Sequence, residues 1–258
     1  MMAGILLNFL LMTVIGGFIT FSVSALHDSR TSRESALSSL RDLIKQVDDL
    51  YRSTKQIKRM IRSRLKEITE GYAIDAAFFA AQMDNLSNTQ LQLEQVRNAV
   101  RTRLDLFDGD RKKRILKEVE YSEKYLCDVV EEFEKQRVGW EDSGCRISTS
   151  CKMLIDFLGE RWMPTEIEDE FQTMDDAPTS LERFNAFQSI VDKAKKIDPD
   201  YWRHKTISDT CMLLAIREMS DIIFERQPGL ALQGLIPSRR RQALPPQASV
   251  SPPNGESS

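Results

Sequence analysis

Residues that commonly carry out catalysis or bind metals are scarce in this chain. The only histidines are His27 and His204. A di-iron helix bundle needs Glu-x-x-His pairs, but the residue three positions before His204 is Tyr201. The sequence also contains no His-Glu-x-x-His segment, no glycine-rich phosphate loop and no Gly-x-Ser-x-Gly turn. It therefore predicts no catalytic residue, no metal ligand and no cofactor.

The four cysteines indicate structure rather than chemistry. Cys127 and Cys211 fall within amphipathic segments, where a free cysteine is usually a small core residue. Cys145 and Cys151 lie near a predicted helix start, and they could pair only if the body of the chain were extracellular, because cytoplasmic thiols stay reduced. The cysteine pattern therefore leaves the compartment open.

Five basic residues recur at spacings of 3, 4, 3 and 4, which places them on one side of a helix. They are Arg52, Lys55, Arg59, Arg62 and Lys66, and we call them the cationic stripe. Such a stripe indicates either a solvated flank or contact with an anionic surface: lipid headgroups, an acidic partner or nucleic acid. The lack of interleaved aromatic residues and of any recognisable reading module argues against nucleic acid.

Overall charge and composition exclude two broad classes of protein. The 258 residues include 36 Lys+Arg and 39 Asp+Glu, so the formal net charge is −3. This balance excludes binding to nucleic acid through bulk charge. A hydrophobic content of 41% beside 29% charged residues excludes disorder of the whole chain.

Long helices are the elements predicted to position these residues. The first proline is Pro164, and between residues 18 and 138 the only glycines are Gly71 and Gly109. From residue 37 to residue 68 the apolar residues keep a heptad spacing, with Thr54 and Lys58 as the polar exceptions. The apolar a and d positions form a predicted interaction seam of Leu37, Leu40, Ile44, Val47, Tyr51, Ile61, Leu65 and Ile68.

The remaining pattern predicts an all-α protein of four regions. Further helices are expected over residues 73–107, 111–137, 147–162, 165–171, 181–197 and 207–224, and capping boxes mark Thr165 and Thr179 as helix starts. The acidic residues 166–176 are interpreted as a surface connection. The regions are an anchor (1–26), long coiled-coil-like helices (27–138), a smaller helical region (139–226) and a disordered proline-rich tail (227–258).

The N-terminal region is predicted to be a transmembrane helix. Residues 3–26 carry no charged side chain and would extend about 36 Å as a helix, against a hydrocarbon core of about 30 Å. Basic residues follow this segment and none precedes it, which places the N-terminus outside and the body in the cytoplasm. The alternative is a cleaved signal peptide ending at Ala25, which would give a secreted helical protein.

These observations predict a single-pass membrane protein that acts as a helical interaction or scaffold module. The anchor would contact membrane lipid, and the seam would pack against a second copy or another helical protein. A membrane-bound helical enzyme or effector, with a site assembled from scattered residues, is the alternative from another class.

Overall fold

The computed structural model describes residues 2–103, 106–137, 145–159, 165–200 and 202–226. The side chains of residues 2–30, 165, 166, 168, 169 and 172 lie outside this description. One compact unit covers residues 1–223, and residues 224–258 form a second unit, of which the described part is the end of the last helix. The predicted disordered tail at 227–258 lies outside the described residues.

Seven helices and three short strands make up the described chain, which confirms the all-α class in its coarse form. The helices are α1 (Met2–Arg62), α2 (Ala76–Thr102), α3 (Gly109–Arg137), α4 (Lys152–Leu158), α5 (Thr165–Asp176), α6 (Ser180–Ile197) and α7 (Lys205–Arg226). The strands are β1 (Lys66–Ile68), β2 (Gly71–Ile74) and β3 (Cys145–Ser148).

Helices α1, α2 and α3 lie side by side with alternating directions. At one end, Nη1 of Arg103, just after α2, donates a hydrogen bond to Oγ of Ser39 on α1 over 2.8 Å. At the other end, the ring of Phe79 near the start of α2 meets Phe133 near the end of α3, with centroids 5.2 Å apart. Apolar side chains spaced three and four residues apart on each helix form the shared core.

Helix α7 completes a four-helix arrangement by packing antiparallel to α3. Arg114 near the start of α3 binds Glu218 near the end of α7, and Oγ of Ser122 donates to the carbonyl oxygen of Ser208 over 2.9 Å. Met212 and Met219 of α7 lie in the same core as the first three helices. Helices α5 and α6 cover a second, smaller core beside α3 and α7.

A three-stranded antiparallel sheet closes the end of the bundle where α1 stops. This sheet corrects the prediction that the α1 pattern continues to residue 68, because α1 ends at Arg62, Leu65 lies in the connection and Ile68 belongs to β1. The reason is long-range pairing: β2 lies between β1 and the distant β3. Gly71 permits it, since its φ is +134° and a Cβ there would lie 2.0 Å from the carbonyl oxygen of Ile147.

Two other predicted elements differ from the structure. The segment 147–162 divides into the end of β3 and the short α4, which stops at Gly159 in a left-handed conformation. Residues 166–176 belong to helix α5, with Ile167 and Met174 buried, instead of forming a surface connection. The capping box at Thr179 is confirmed, whereas the side chains of the one at Thr165 lie outside the described residues.

Within the described part of the chain, no helix combines the length and the apolar character needed to cross a membrane. This finding corrects the predicted single-pass location, with the N-terminus outside and a cytoplasmic body, which the structure does not support. The prediction rested on residues 3–26, whose side chains lie outside the described residues. Their backbone continues without a break into the charged, amphipathic residues that lead to Arg62, so α1 as a whole is not an apolar segment.

Candidate interaction surface

Half of the predicted interaction seam is buried inside the chain's own bundle: Leu37, Leu40, Val47 and Ile61 are buried, and Ile44, Tyr51, Leu65 and Ile68 are partly buried. Leu40, Val47 and Ile61 at d positions are fully buried, together with Leu43, Leu50 and Ile57 at the adjacent g positions. Ile44 and Tyr51 at a positions are only partly buried. The buried apolar face of α1 therefore includes the g positions beside the predicted seam, because α1 packs on both α2 and α4. Its burial energy already stabilises the bundle.

The two polar exceptions of the heptad have local explanations. Thr54 is buried, and its hydroxyl donates to the carbonyl oxygen of Leu50. Lys58 reaches the C-terminal end of α4, where a Cβ on Gly159 would lie 2.5 Å from its Nζ. A cation is favourable at the negative end of a helix. Burial lowers the pKa of Lys58, and the nearby cations Lys205 and Arg62 lower it further.

The cationic stripe is shorter than predicted, and two of its residues pair with side chains of their own helix. Arg52 pairs with Asp48 at 2.8 Å, and Lys55 bonds the hydroxyl of Tyr51 and covers its ring. Arg59 and Arg62 are exposed, but Lys66 lies on β1 and does not extend the helical stripe. These local pairings favour the solvated flank over an anionic ligand site.

The densest polar cluster surrounds Asp156 on α4. Its carboxylate accepts hydrogen bonds from the Tyr125 hydroxyl at 2.9 Å, Nδ1 of His204 at 3.1 Å and the backbone N–H of Lys205 at 2.7 Å. Asp156 and His204 are each 3% exposed and Tyr125 is 0% exposed. Burial raises the pKa of Tyr125 well above its ordinary value. The cluster joins α3, α4 and the start of α7, and no substrate could reach it without local opening.

A second buried cluster joins α3 to α7. Glu218 accepts two hydrogen bonds from Arg114, whereas Oε2 of Glu118 has no hydrogen-bond partner among the described residues. Burial, and next the carboxylate of Glu218, raise the pKa of Glu118 well above its ordinary value, against the opposing effect of Arg114 and Arg183. Glu118 therefore favours the protonated form in the folded state.

This raised pKa predicts a pH-dependent stability. Above about pH 4.3 the unfolded chain releases the Glu118 proton while the folded chain retains it, so the free energy of unfolding falls as pH rises towards the folded pKa. Glutamine does not titrate, so we expect the free energy of unfolding of Glu118→Gln not to decline in this way. The difference in free energy of unfolding between Glu118→Gln and the wild type should therefore grow in favour of the variant between pH 5 and pH 8, as measured by urea titrations. Glu120→Gln is the control, because Lys124 lowers the pKa of Glu120 and the sign is opposite. An advantage that stayed constant with pH would contradict this assignment.

The prediction that Cys211 is a core residue is confirmed, whereas Cys127, predicted to be one too, is only partly buried. All four are free thiols, and Cys145, Cys151 and Cys211 are buried. Burial raises the pKa of Cys127 to about 11 and that of Cys145 to about 12, which leaves both protonated and weakly nucleophilic at neutral pH. Among the described residues, no group of three or more His, Cys, Asp or Glu side chains could hold a metal ion.

The outer face of α2 is the surface that the sequence analysis missed. Between residues 81 and 98 its exposed residues carry a single charge, that of Asp84, and they are Ala81, Asp84, Asn85, Asn88, Leu91, Gln92, Gln95 and Asn98. Arg97 points towards α3, where it pairs with Glu123 at 2.5 Å. It also pairs at 3.5 Å with Glu94 of α2, whose side chain is 42% exposed at the edge of the face. Leu91 is 48% exposed at the centre of the face.

Helix α3 shows how different an ordinary solvated face of this protein is. Its exposed residues are Gly109, Asp110, Lys113, Lys117, Lys124, Glu131, Glu134, Lys135 and Arg137, all charged except the first. Solvated helix faces favour such charges, whereas the centres of protein interfaces are depleted of them. The outer face of α2 therefore has the composition of a contact surface.

A trough runs between this face and α1. It consists of two adjoining cavities of about 590 and 410 Å³, which share Ser53 of α1 and Gln92 of α2. Amides are the commonest side chains in its walls, and Leu50, Ile57, Met60 and Val96 contribute apolar surface. Asp49 of α1 adds one carboxylate to the larger cavity. The trough therefore offers both hydrogen-bond donors and hydrogen-bond acceptors, since every amide side chain has an NH₂ group that donates and an oxygen that accepts.

The sequence contained a signal for this surface. Asn85, Asn88, Gln92 and Gln95 follow one another at helical spacing without an intervening charge on that face. The spacing alone could not show which side of α2 is exposed. Comparisons of the chain with models of known protein families, with curated protein sequences and with solved structures find no match.

Proposed function

We propose that the protein is a helical interaction module that holds another polypeptide against the outer face of α2 and the adjoining trough. The observation that carries the proposal is the near absence of charge on this face, in a chain whose neighbouring helix α3 exposes almost only charged residues. Removing ions from water is costly, so an uncharged face is easier to cover than a charged one.

The size of the face fits a specific but transient contact. Residues 81–98 extend about 26 Å along α2, and two helices side by side make the surface about 18 Å wide. This corresponds to about 500 Å² on each partner, or about 1,000 Å² in total, the lower range of specific interfaces. Binding is therefore expected to be reversible and to depend on concentration.

An enzymatic function is supported less well by the geometry. The only close histidine–carboxylate contact among the described residues is His204 with Asp156, and both are 3% exposed. The larger cavity of the trough is lined by one titratable side chain, the carboxylate of Asp49, which has no second titratable group beside it for proton transfer. Its form suits recognition of a polypeptide better than chemistry on a small molecule.

Site-specific photo-crosslinking in cells tests this function. A photoreactive amino acid replaces Asn88 on the outer face of α2 or, as the control, Lys113 on α3, whose side chain is 78% exposed. We expect one discrete covalent adduct from position 88 and none from position 113. Equal labelling from both positions, or no adduct from position 88, would contradict the proposal.

A further inference from the structure

We infer that Lys58, Arg62 and Lys205 form a binding site for a phosphate group at the junction of α1, α4 and α7. The ligand is a phosphate-type oxyanion, either free or carried as a monoester on a larger molecule. This inference goes beyond the proposed function and does not depend on it, because none of the three residues lines the trough. It follows from the convergence of three cations, from the negative groups that face them and from the lack of a partner for Lys58.

Two of the cations meet at Gly159, the residue that ends α4. A Cβ on Gly159 would lie 2.5 Å from Nζ of Lys58 and 3.7 Å from Nη1 of Arg62. The distance between the two nitrogens cannot exceed the sum of these values, so one oxyanion can accept charge-assisted hydrogen bonds from both. The local pairings of the cationic stripe involve Arg52 and Lys55, which lie earlier on α1.

Lys205, at the start of α7, brings a third cation to the same end of α4. Its backbone N–H donates over 2.7 Å to the carboxylate of Asp156, three residues before Gly159. Its side chain is 11% exposed, and its charge acts on Lys58 more strongly than that of Arg62. Segments that are distant in the chain thus place three cations around the end of one short helix.

The negative groups around this point do not balance three cations. A helix end carries about half a negative charge, and the N–H of Gly159 already binds two carbonyl oxygens of α4 there. The carboxylates with the largest effect on Lys58 are those of Asp209 and Asp156. Asp209 pairs with Lys205, and the carboxylate of Asp156 already accepts the three hydrogen bonds described above. Among the described residues, an excess of positive charge therefore remains.

Lys58 is the cation whose charge the protein's own groups compensate least. Its side chain is half-buried, and it forms neither a hydrogen bond nor an ion pair with any described residue, although burying an unpaired charge is costly. Burial, and next the cations Lys205 and Arg62, lower its pKa. A phosphate group would offset this cost, since its oxygens can accept from the ammonium group of Lys58 and the planar guanidinium of Arg62 together.

Thermal unfolding of the full chain in rising concentrations of inorganic phosphate or phenyl phosphate, against sodium chloride of equal ionic strength, tests this inference. We expect a saturable rise in melting temperature, and the compound that saturates at the lower concentration shows whether the free anion or a monoester is preferred. Lys58→Met should raise the dissociation constant at least about 10-fold, because a charge-assisted hydrogen bond is lost. Lys55→Met is the matched control on the same helix, since Lys55 already bonds the hydroxyl of Tyr51, and it should leave the constant unchanged.

A measurement on the wild-type chain guards against a folding defect in Lys58→Met. Acetic anhydride acetylates unprotonated amines, and mass spectrometry of peptides gives the rate at each lysine. Phosphate should slow the acetylation of Lys58, because a nearby anion favours the protonated amine, and should leave the rate at Lys55 unchanged. No stabilisation beyond that of chloride, an unchanged dissociation constant for Lys58→Met, or equal acetylation of Lys58 with and without phosphate would overturn the inference.

Discussion

Replacing Asp156 with alanine is expected to lower the free energy of unfolding by about 3–5 kcal/mol, as for other buried charges and networks that lose one member. The carboxylate receives the Tyr125 hydroxyl, Nδ1 of His204 and the backbone N–H of Lys205 at 2.7–3.1 Å. All three donors would remain in a buried site without an acceptor. For a chain of this size the loss corresponds to a fall of about 10 °C in melting temperature.

Thermal and urea unfolding, followed by circular dichroism, would measure this effect. Tyr125→Phe removes one of the three hydrogen bonds and should cost only about 1 kcal/mol. Asp192→Ala is the exposed control, because its side chain is 68% exposed and its nearest cation lies 4.0 Å away. It should change stability by less than about 0.5 kcal/mol. A similar cost for Asp192→Ala and Asp156→Ala would refute the role given to the buried cluster.

Gly71→Ala is expected to destabilise the protein by about 3 kcal/mol or more. The φ of +134° at Gly71 is essentially closed to other residues, which costs about 1–3 kcal/mol. In addition, the new Cβ would lie 2.0 Å from the carbonyl oxygen of Ile147, so β2 and β3 would have to separate. The sheet holds the end of α1 to the chain segment that precedes α4, and its loss would loosen that end of the bundle.

Gly109→Ala provides the matched control for this substitution. Gly109 begins α3, and a Cβ there meets nothing within 4 Å. The same chemical change should therefore be neutral or stabilise the chain by about 0.4–1 kcal/mol, because alanine restricts the unfolded chain. Equal melting temperatures for the two variants would show that the β2–β3 contact does not constrain the fold.

The helices could largely be predicted from the sequence, because their causes are local. The scarcity of glycine and proline before residue 138 favours long helices, and α2 and α3 fall within or near the predicted ranges. The capping box at Thr179 involves residues only three positions apart, so it is visible in the sequence and confirmed in the structure. Hydropathy of residues 3–26, by contrast, led to a membrane location that the described helices do not support.

The sheet and the candidate surface could not be predicted in this way. Strand β3 follows α3 in the chain, yet it pairs with β2. A hydrophobic pattern that repeats every two to four residues cannot indicate a pairing partner so far away in the sequence. The heptad of α1 indicated an apolar stripe without showing that other helices of the same chain cover it. The amides of α2 could equally have faced α3 until the structure showed them exposed.

The sequence by itself determined that this protein is helical, roughly where α2 and α3 run and that ordinary catalytic motifs are missing, since propensity, capping and periodicity depend on near neighbours. Only the tertiary structure decided which faces are used within the bundle and which remain outside. The physical reason is that burial is set by contacts between distant segments: α2 and α4 pack on the apolar face of α1, whereas no described segment covers the outer face of α2.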